Sequence, residues 1–181
     1  MTQDLGTALK AALAGRVCVV GVGNDDLGDD GFGVRLAEEL LASGHEHVRV
    51  AGTTPENCLG QIEDGRFDAV LFLDAVDIGA EAGSAVLLDS ASIQGKFPQI
   101  STHRISLGTL ARLLERPGGP RVWLLGAQPS SLRFGSGLSR PLLTTLMILR
   151  DLLIQTLRIR TLPPRPAALA ATTAGMGEEQ E

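Results

Sequence analysis

The side chains best placed to do chemistry in this chain are oxygen donors set among glycines. Residues 21–33 read GVGNDDLGDDGFG and hold Asp25, Asp26, Asp29 and Asp30. A glycine-rich turn leading from a strand into a helix commonly cradles phosphate. Here position 26 is Asp where a dinucleotide fingerprint needs Gly, and no Lys follows as a P-loop requires. Two unit charges ~4 Å apart interact by about 4 kcal/mol at an effective dielectric near 20, so these acids repel a pyrophosphate. The loop calls for a cation instead. Turn formation and capping account for Asp25 and Asp26, and one of Asp29 and Asp30 can cap the next helix. Four carboxylates exceed what one cap needs, so at least one is a candidate metal ligand.

Two further residues join them. Asp74 ends the apolar run FDAVLFL in LFLDAVDIG, and His103 lies in STHRISL. The bland reading of Asp74 is a strand-end turn residue, and that of a lone histidine is a structural or exposed one. Asp77 shapes the loop after Asp74. His45 and His47 flank Glu46 in a polar connection and read as surface; they are too close together for an HExxH site. Two carboxylates and an imidazole give an oxygen and nitrogen donor set that borderline divalent ions such as zinc or nickel accept. A metal so held can polarise a peptide carbonyl or activate water.

Other hydrolytic signatures are missing. There is no GxSxG elbow, and Ser136 sits in a Gly-Ser-Gly loop pattern. Cys18 lies in an apolar run and reads as a small hydrophobe, Cys58 begins a short helix, and no CxxC pair exists.

These residues must be positioned by strands and helices that the spacing predicts. RVCVVG at 16–21 is a first, central strand. Apolar residues at Phe32, Val34, Leu36, Leu40 and Leu41 predict an amphipathic helix over 31–41. Strands follow at 48–51, 67–73, 85–88 (at an edge) and 121–126, with a short helix at 57–62. Residues 90–102, which include Pro98, are expected to be irregular. Helical spacing returns at 107–114 and again over 138–159, the long helix having Ser136 or Ser139 as candidate caps. Strands alternating with helices predict a single-domain α/β three-layer sandwich around a twisted, mostly parallel five-stranded sheet. In such sheets ligands bind beyond the carboxyl ends of the strands. That rule singles out the acidic loop, the segment at Asp74, and the loop GAQPSSLRFGSGLS after the fifth strand.

Composition narrows the function classes. The chain has 181 residues, 44% hydrophobic but only 3% aromatic, so its core is built from Val, Leu, Ile and Ala. Net charge is -5, and the one arginine cluster, Arg158, Arg160 and Arg165, lies at a Pro-rich helix exit; no nucleic-acid partner is indicated. The start lacks a signal peptide's basic and strongly apolar character, and no apolar run reaches membrane-spanning length. A cytoplasmic location and no membrane partner are expected. The domain spans 16–160, with an N-terminal extension at 1–15 and a tail at 161–181 expected to be disordered.

GVGNDDLGDDGFGVRLAEEL, LFLDAVDIG, ISTHRISL and LLGAQPSSLRFGSGLS, in this order, together resemble the nickel–iron hydrogenase maturation endopeptidases. The resemblance runs from about Arg16 to the C-terminal helix. It implies a protease that removes a short C-terminal extension from the hydrogenase large-subunit precursor after nickel insertion, reading that nickel directly. Matched by motif, the metal-contacting and catalytic positions fall on Asp30, Asp74 and His103. Glu also occurs in the family at the Asp30 position, one methylene longer. Asp29 is then the helix-cap residue, and Gln128 and Pro129 match a loop that shapes the substrate groove. The resemblance implies nickel supplied by the precursor, with other divalent metals able to substitute in vitro. The general base, the particular hydrogenase, the cleavage position and the oligomeric state stay open. Two rival readings are a nickel-binding assembly chaperone without proteolytic activity and a nucleotide-binding module, the latter opposed by the acidic loop.

Overall fold

A computed structural model describes residues 4–96 and 106–158. Its centre is a five-stranded sheet in the order β2-β1-β3-β5-β4. The strands are β1 (Val17–Val22), β2 (Val48–Gly52), β3 (Ala69–Ala75), β4 (Ala85–Asp89) and β5 (Arg121–Ala127). The first three neighbouring pairs run parallel; β4 lies at the edge, antiparallel to β5. All six residues of β1 are buried, as are the first six of β3. Burial on both faces explains why these strands read as unbroken apolar runs rather than alternating ones.

Among the described residues six α-helices cover the two faces: α1 (Leu5–Ala12), α2 (Phe32–Ala42), α3 (Leu59–Asp64), α4 (Ser90–Lys96), α5 (Leu107–Leu114) and α6 (Arg140–Arg158). One core half joins Leu9 and Leu13 to Phe32, Leu36 and Leu40 of α2 and to Leu142, Leu149 and Leu153 of α6. The other joins Ile62, Ile93, Leu107, Leu110 and Leu114 to the opposite sheet face. Each such fully buried side chain contributes about 1.5–3 kcal/mol relative to exposure. The expected three-layer α/β architecture is therefore observed.

Three expectations change. Residues 90–96 form α4 rather than irregular chain; Asp89 accepts the Ser92 N–H at 2.8 Å, which stabilises the helix start. The segment before Arg16 includes α1, capped by Asp4 through the Thr7 N–H, and its Leu9 and Leu13 are fully buried. The two histidines read as surface are half-buried, and His47 packs edge-on against Phe67 with ring centroids 5.3 Å apart. His47 directly precedes β2, at the sheet edge opposite the acidic loop. The tail at 161–181 lies outside the described residues. Among the described residues no helix is long and apolar enough to cross a membrane.

Candidate active site at the carboxyl edge of the sheet

The connection from β1 passes through β2 on one side and then crosses to β3 on the other. The crevice between β1 and β3 is thus the point where strand order reverses, the preferred ligand position in open α/β sheets. Asp30 follows β1 in a 3-10 turn over Gly28–Gly31, and Asp74 is the penultimate residue of β3. Both are buried, at 6% and 5% exposure. The Asn24 N–H donates to Asp30 Oδ2 at 2.8 Å, which fixes this carboxylate over the end of β1.

Glycine makes the juxtaposition possible. A Cβ built on Gly33 would overlap the Leu73 carbonyl oxygen, and one on Gly21 would overlap the Gly33 carbonyl and Ala37. The first turn of α2 therefore rests directly on β1 and on the residue before Asp74. Gly23, at φ +132, lets the loop fold back so closely that a Cβ there would overlap the Asp30 carbonyl oxygen. The glycines of this loop serve helix–strand contact, which fits the absence of a phosphate motif.

The remaining acids divide by role. Asp25 pairs with Arg35 at 3.2 Å, and the Asp26 backbone N–H donates to Asn24 Oδ1 at 3.0 Å, so both residues belong to the turn as expected. Asp29 differs from its expected part as a helix cap. The α2 N-cap is Gly31, and no side chain bonds there. Asp29 is fully buried and points to the β5–α6 loop instead. Its Oδ2 accepts N–H bonds from Ser130 at 2.7 Å and Ser131 at 3.0 Å, and its Oδ1 accepts from Ser139 at 2.6 Å. Burial raises its pKa, but the Ser139, Ser130 and Ser131 N–H groups outweigh it and hold the carboxyl below its ordinary value. The 3-10 turn, not recognisable from apolar spacing, aims adjacent acids in different directions.

Gln128 performs a similar service on the other loop. Its Oε1 accepts from Ile78 N–H at 2.8 Å and Ala80 N–H at 3.3 Å, and its Nε2 donates to Asp77 Oδ1 at 3.1 Å. Asp77 also accepts the Gly79 N–H at 3.1 Å, consistent with its expected loop role. The chain leaving Asp74 is thereby fastened to the end of β5. Ser136, a candidate cap of α6, instead donates its Oγ to the Arg133 carbonyl; the Ser139 carbonyl accepts the Leu143 N–H in the first turn of α6.

The structure thus carries Asp30, in the turn after β1, and Asp74, near the end of the neighbouring β3, to the carboxyl edge of the sheet. His103 lies outside the described residues. Among the described residues no group of three His, Cys, Asp or Glu side chains could hold a metal; the pair of acids offers oxygen donors only. Both cysteines are buried in the core half opposite α2, and burial pushes the Cys18 thiol up to about 11. A thiolate nucleophile there is disfavoured.

A five-stranded α/β sheet with buried acids at its strand-reversal point defines a class, and comparison with known proteins names it. The profile of the hydrogenase maturation protease family matches residues 34–154, a stretch that contains Asp74 and His103 and begins just after Asp30. The chain belongs to this family. It is 34% identical over 123 residues to the hydrogenase 3 maturation protease of Escherichia coli K12, covering 67% of this chain and 78% of that one. Among solved structures, the [NiFe] hydrogenase maturation protease HycI of Thermococcus kodakarensis superposes with a TM-score of 0.75 at 30% identity, over 83% of this chain and 99% of that one. The hydrogenase maturating endopeptidase HybD of E. coli superposes with a TM-score of 0.67 at 26% identity, over 80% of this chain and 93% of that one.

Proposed function

We propose that this protease removes the C-terminal extension of a nickel-loaded nickel–iron hydrogenase large-subunit precursor and recognises the inserted nickel. The observation that carries the reading is the placement of two buried acids, Asp30 in the turn that follows β1 and Asp74 at the end of the neighbouring β3, at the strand-reversal point of a hydrogenase maturation protease fold. Asp30, Asp74 and His103 are the residues assigned to contact the nickel, which belongs to the substrate. Carboxylate oxygens and an imidazole nitrogen suit such a borderline ion. Nickel in place supplies positioning and Lewis acidity to the scissile peptide. The Asn24 N–H bond to Oδ2 restrains the Asp30 carboxylate. Water adds across the peptide bond, leaving a carboxylate on the subunit and an amine on the released tail. The proposed compartment is the cytoplasm.

The test is cleavage of purified precursor, with and without nickel, read by mass spectrometry. Nickel-loaded precursor should lose its tail, and nickel-free precursor should stay intact. Equal cutting of both removes nickel recognition from the proposal; cutting of neither removes the peptidase reading. Asp30→Asn, Asp74→Asn and His103→Ala should each leave loaded precursor uncut.

A further inference from the structure

Phe134 is the most exposed large apolar side chain among the described residues, at 75%, and Leu132 on the same loop is 50% exposed. An apolar side chain on a loose loop can turn inward. This loop cannot readily do so, because its backbone is fastened on both sides of the pair. Ser130, Ser131 and Ser139 N–H groups bind the buried Asp29 carboxylate. The Asp29 N–H returns a bond to the Ser131 carbonyl at 3.0 Å, and the Gly135 N–H donates to the Asp26 carbonyl at 2.8 Å. Ser136 Oγ closes on the Arg133 carbonyl at 2.7 Å. Gly28, at φ +57, lets the acidic loop approach so closely that a Cβ there would press on Ser136 Oγ and the Ser131 carbonyl.

The loop is therefore held in place, displays two apolar side chains, and is tethered to Asp29, the residue next to Asp30. Arg133 stands between the two, exposed. Large apolar groups held in water on a fixed frame mark an interaction surface, and a rigid aromatic flanked by arginine has the composition of an interface anchor.

We propose that residues 132–134 dock the folded body of the precursor, with Phe134 and Leu132 entering an apolar depression on it and Arg133 meeting a carboxylate at its rim. This rests on the proposed function and adds to it a contact away from the scissile peptide. A docking contact made equally before and during reaction changes KM and leaves kcat alone.

The experiment measures kcat and KM for nickel-loaded precursor with wild type, Leu132→Ala/Phe134→Ala and Phe134→Ala alone, and direct binding of the precursor to each. Truncating an interface anchor typically weakens binding about tenfold to thirtyfold. The double variant should raise KM and Kd by about that factor with kcat within about twofold, and Arg133→Glu should weaken both as well. Unchanged KM and Kd in the double variant overturn the docking surface. So does a loss of self-association without a change in precursor binding, which would assign the patch to a second copy of this chain. If the double variant melts differently from wild type, the single variant at the 75%-exposed Phe134 decides by the same criteria. Wild type that binds the precursor without cutting it refutes the proposed function and leaves the docking result standing on Kd.

Discussion

Replacing Asp29 by Asn separates a buried tether from an ordinary helix cap. The carboxylate is fully buried and accepts three backbone N–H bonds, two on Oδ2 and one on Oδ1. Asn keeps the shape but turns one oxygen into a donor. Its remaining oxygen can serve Ser130 and Ser131, and the amide nitrogen then confronts the Ser139 N–H. A hydrogen bond to a charged group contributes about 1.5–3 kcal/mol, and a buried donor left unmet costs about 1–3 kcal/mol. The loss of one such bond and the weakening of two others from charged to neutral sums to about 3 kcal/mol. For a chain of this size each kcal/mol lowers Tm by about 2–4 °C, so a fall of about 6–12 °C is expected. The depressed carboxyl pKa adds a pH signature. Stabilisation from a depressed carboxylate is full above its unfolded value near 3.8 and is lost as pH falls through the folded value. The deficit of the Asn variant, measured by urea unfolding, should be largest near neutral pH and shrink below about pH 4. A deficit under about 1 kcal/mol, the amount typical of an exposed cap, or one independent of pH, would refute the tether.

Gly33→Ala places a methyl against the Leu73 and Val22 carbonyl oxygens; overpacking of this kind typically costs about 1–3 kcal/mol, and since both contacts are backbone the variant should melt markedly lower and cut precursor poorly. Gln128→Leu removes the bonds to Ile78, Ala80 and Asp77, so the Ile78 amide should exchange with solvent faster, measured by hydrogen exchange, with stability down by about 1–3 kcal/mol; unchanged exchange would show that Gln128 does not hold the loop. Leu9→Ala, at a fully buried position of α1, should cost about 2–5 kcal/mol in chemical denaturation, and a loss below about 1 kcal/mol would make α1 a dispensable appendage.

Much of the fold was legible in the pattern of the chain. The runs at 16–21 and 67–73 are apolar without alternation, which only strands buried on both faces tolerate, and β1 and β3 are the two inner strands beside the reversal point. Helix α5 falls on the expected residues because Ser106 caps it, accepting the Thr109 N–H, ahead of a clear apolar stripe. The weaker signals misled. Helix α4 is seven residues long, too short for its spacing to stand out beside Gly95, and α1 is built on alanine and leucine whose burial depends on α6. The acidic loop was recognised as unsuited to phosphate, but the division of labour inside it was not.

Sequence by itself determined the alternation of elements and the sheet type, and it nominated Asp30, Asp74 and His103 as candidates from the residues that follow strands or match a family motif. Those properties are local or periodic, so neighbouring residues suffice to encode them. The tertiary structure decided what lies across from what: Gly33 on Leu73, Gln128 on Ile78, and Asp29 turned away from α2 to bind three amides about a hundred residues later in the chain. A carboxylate looks the same in sequence whether it faces a cation, a helix end or a distant loop. Only the packing that buries it selects the partner that its charge must find.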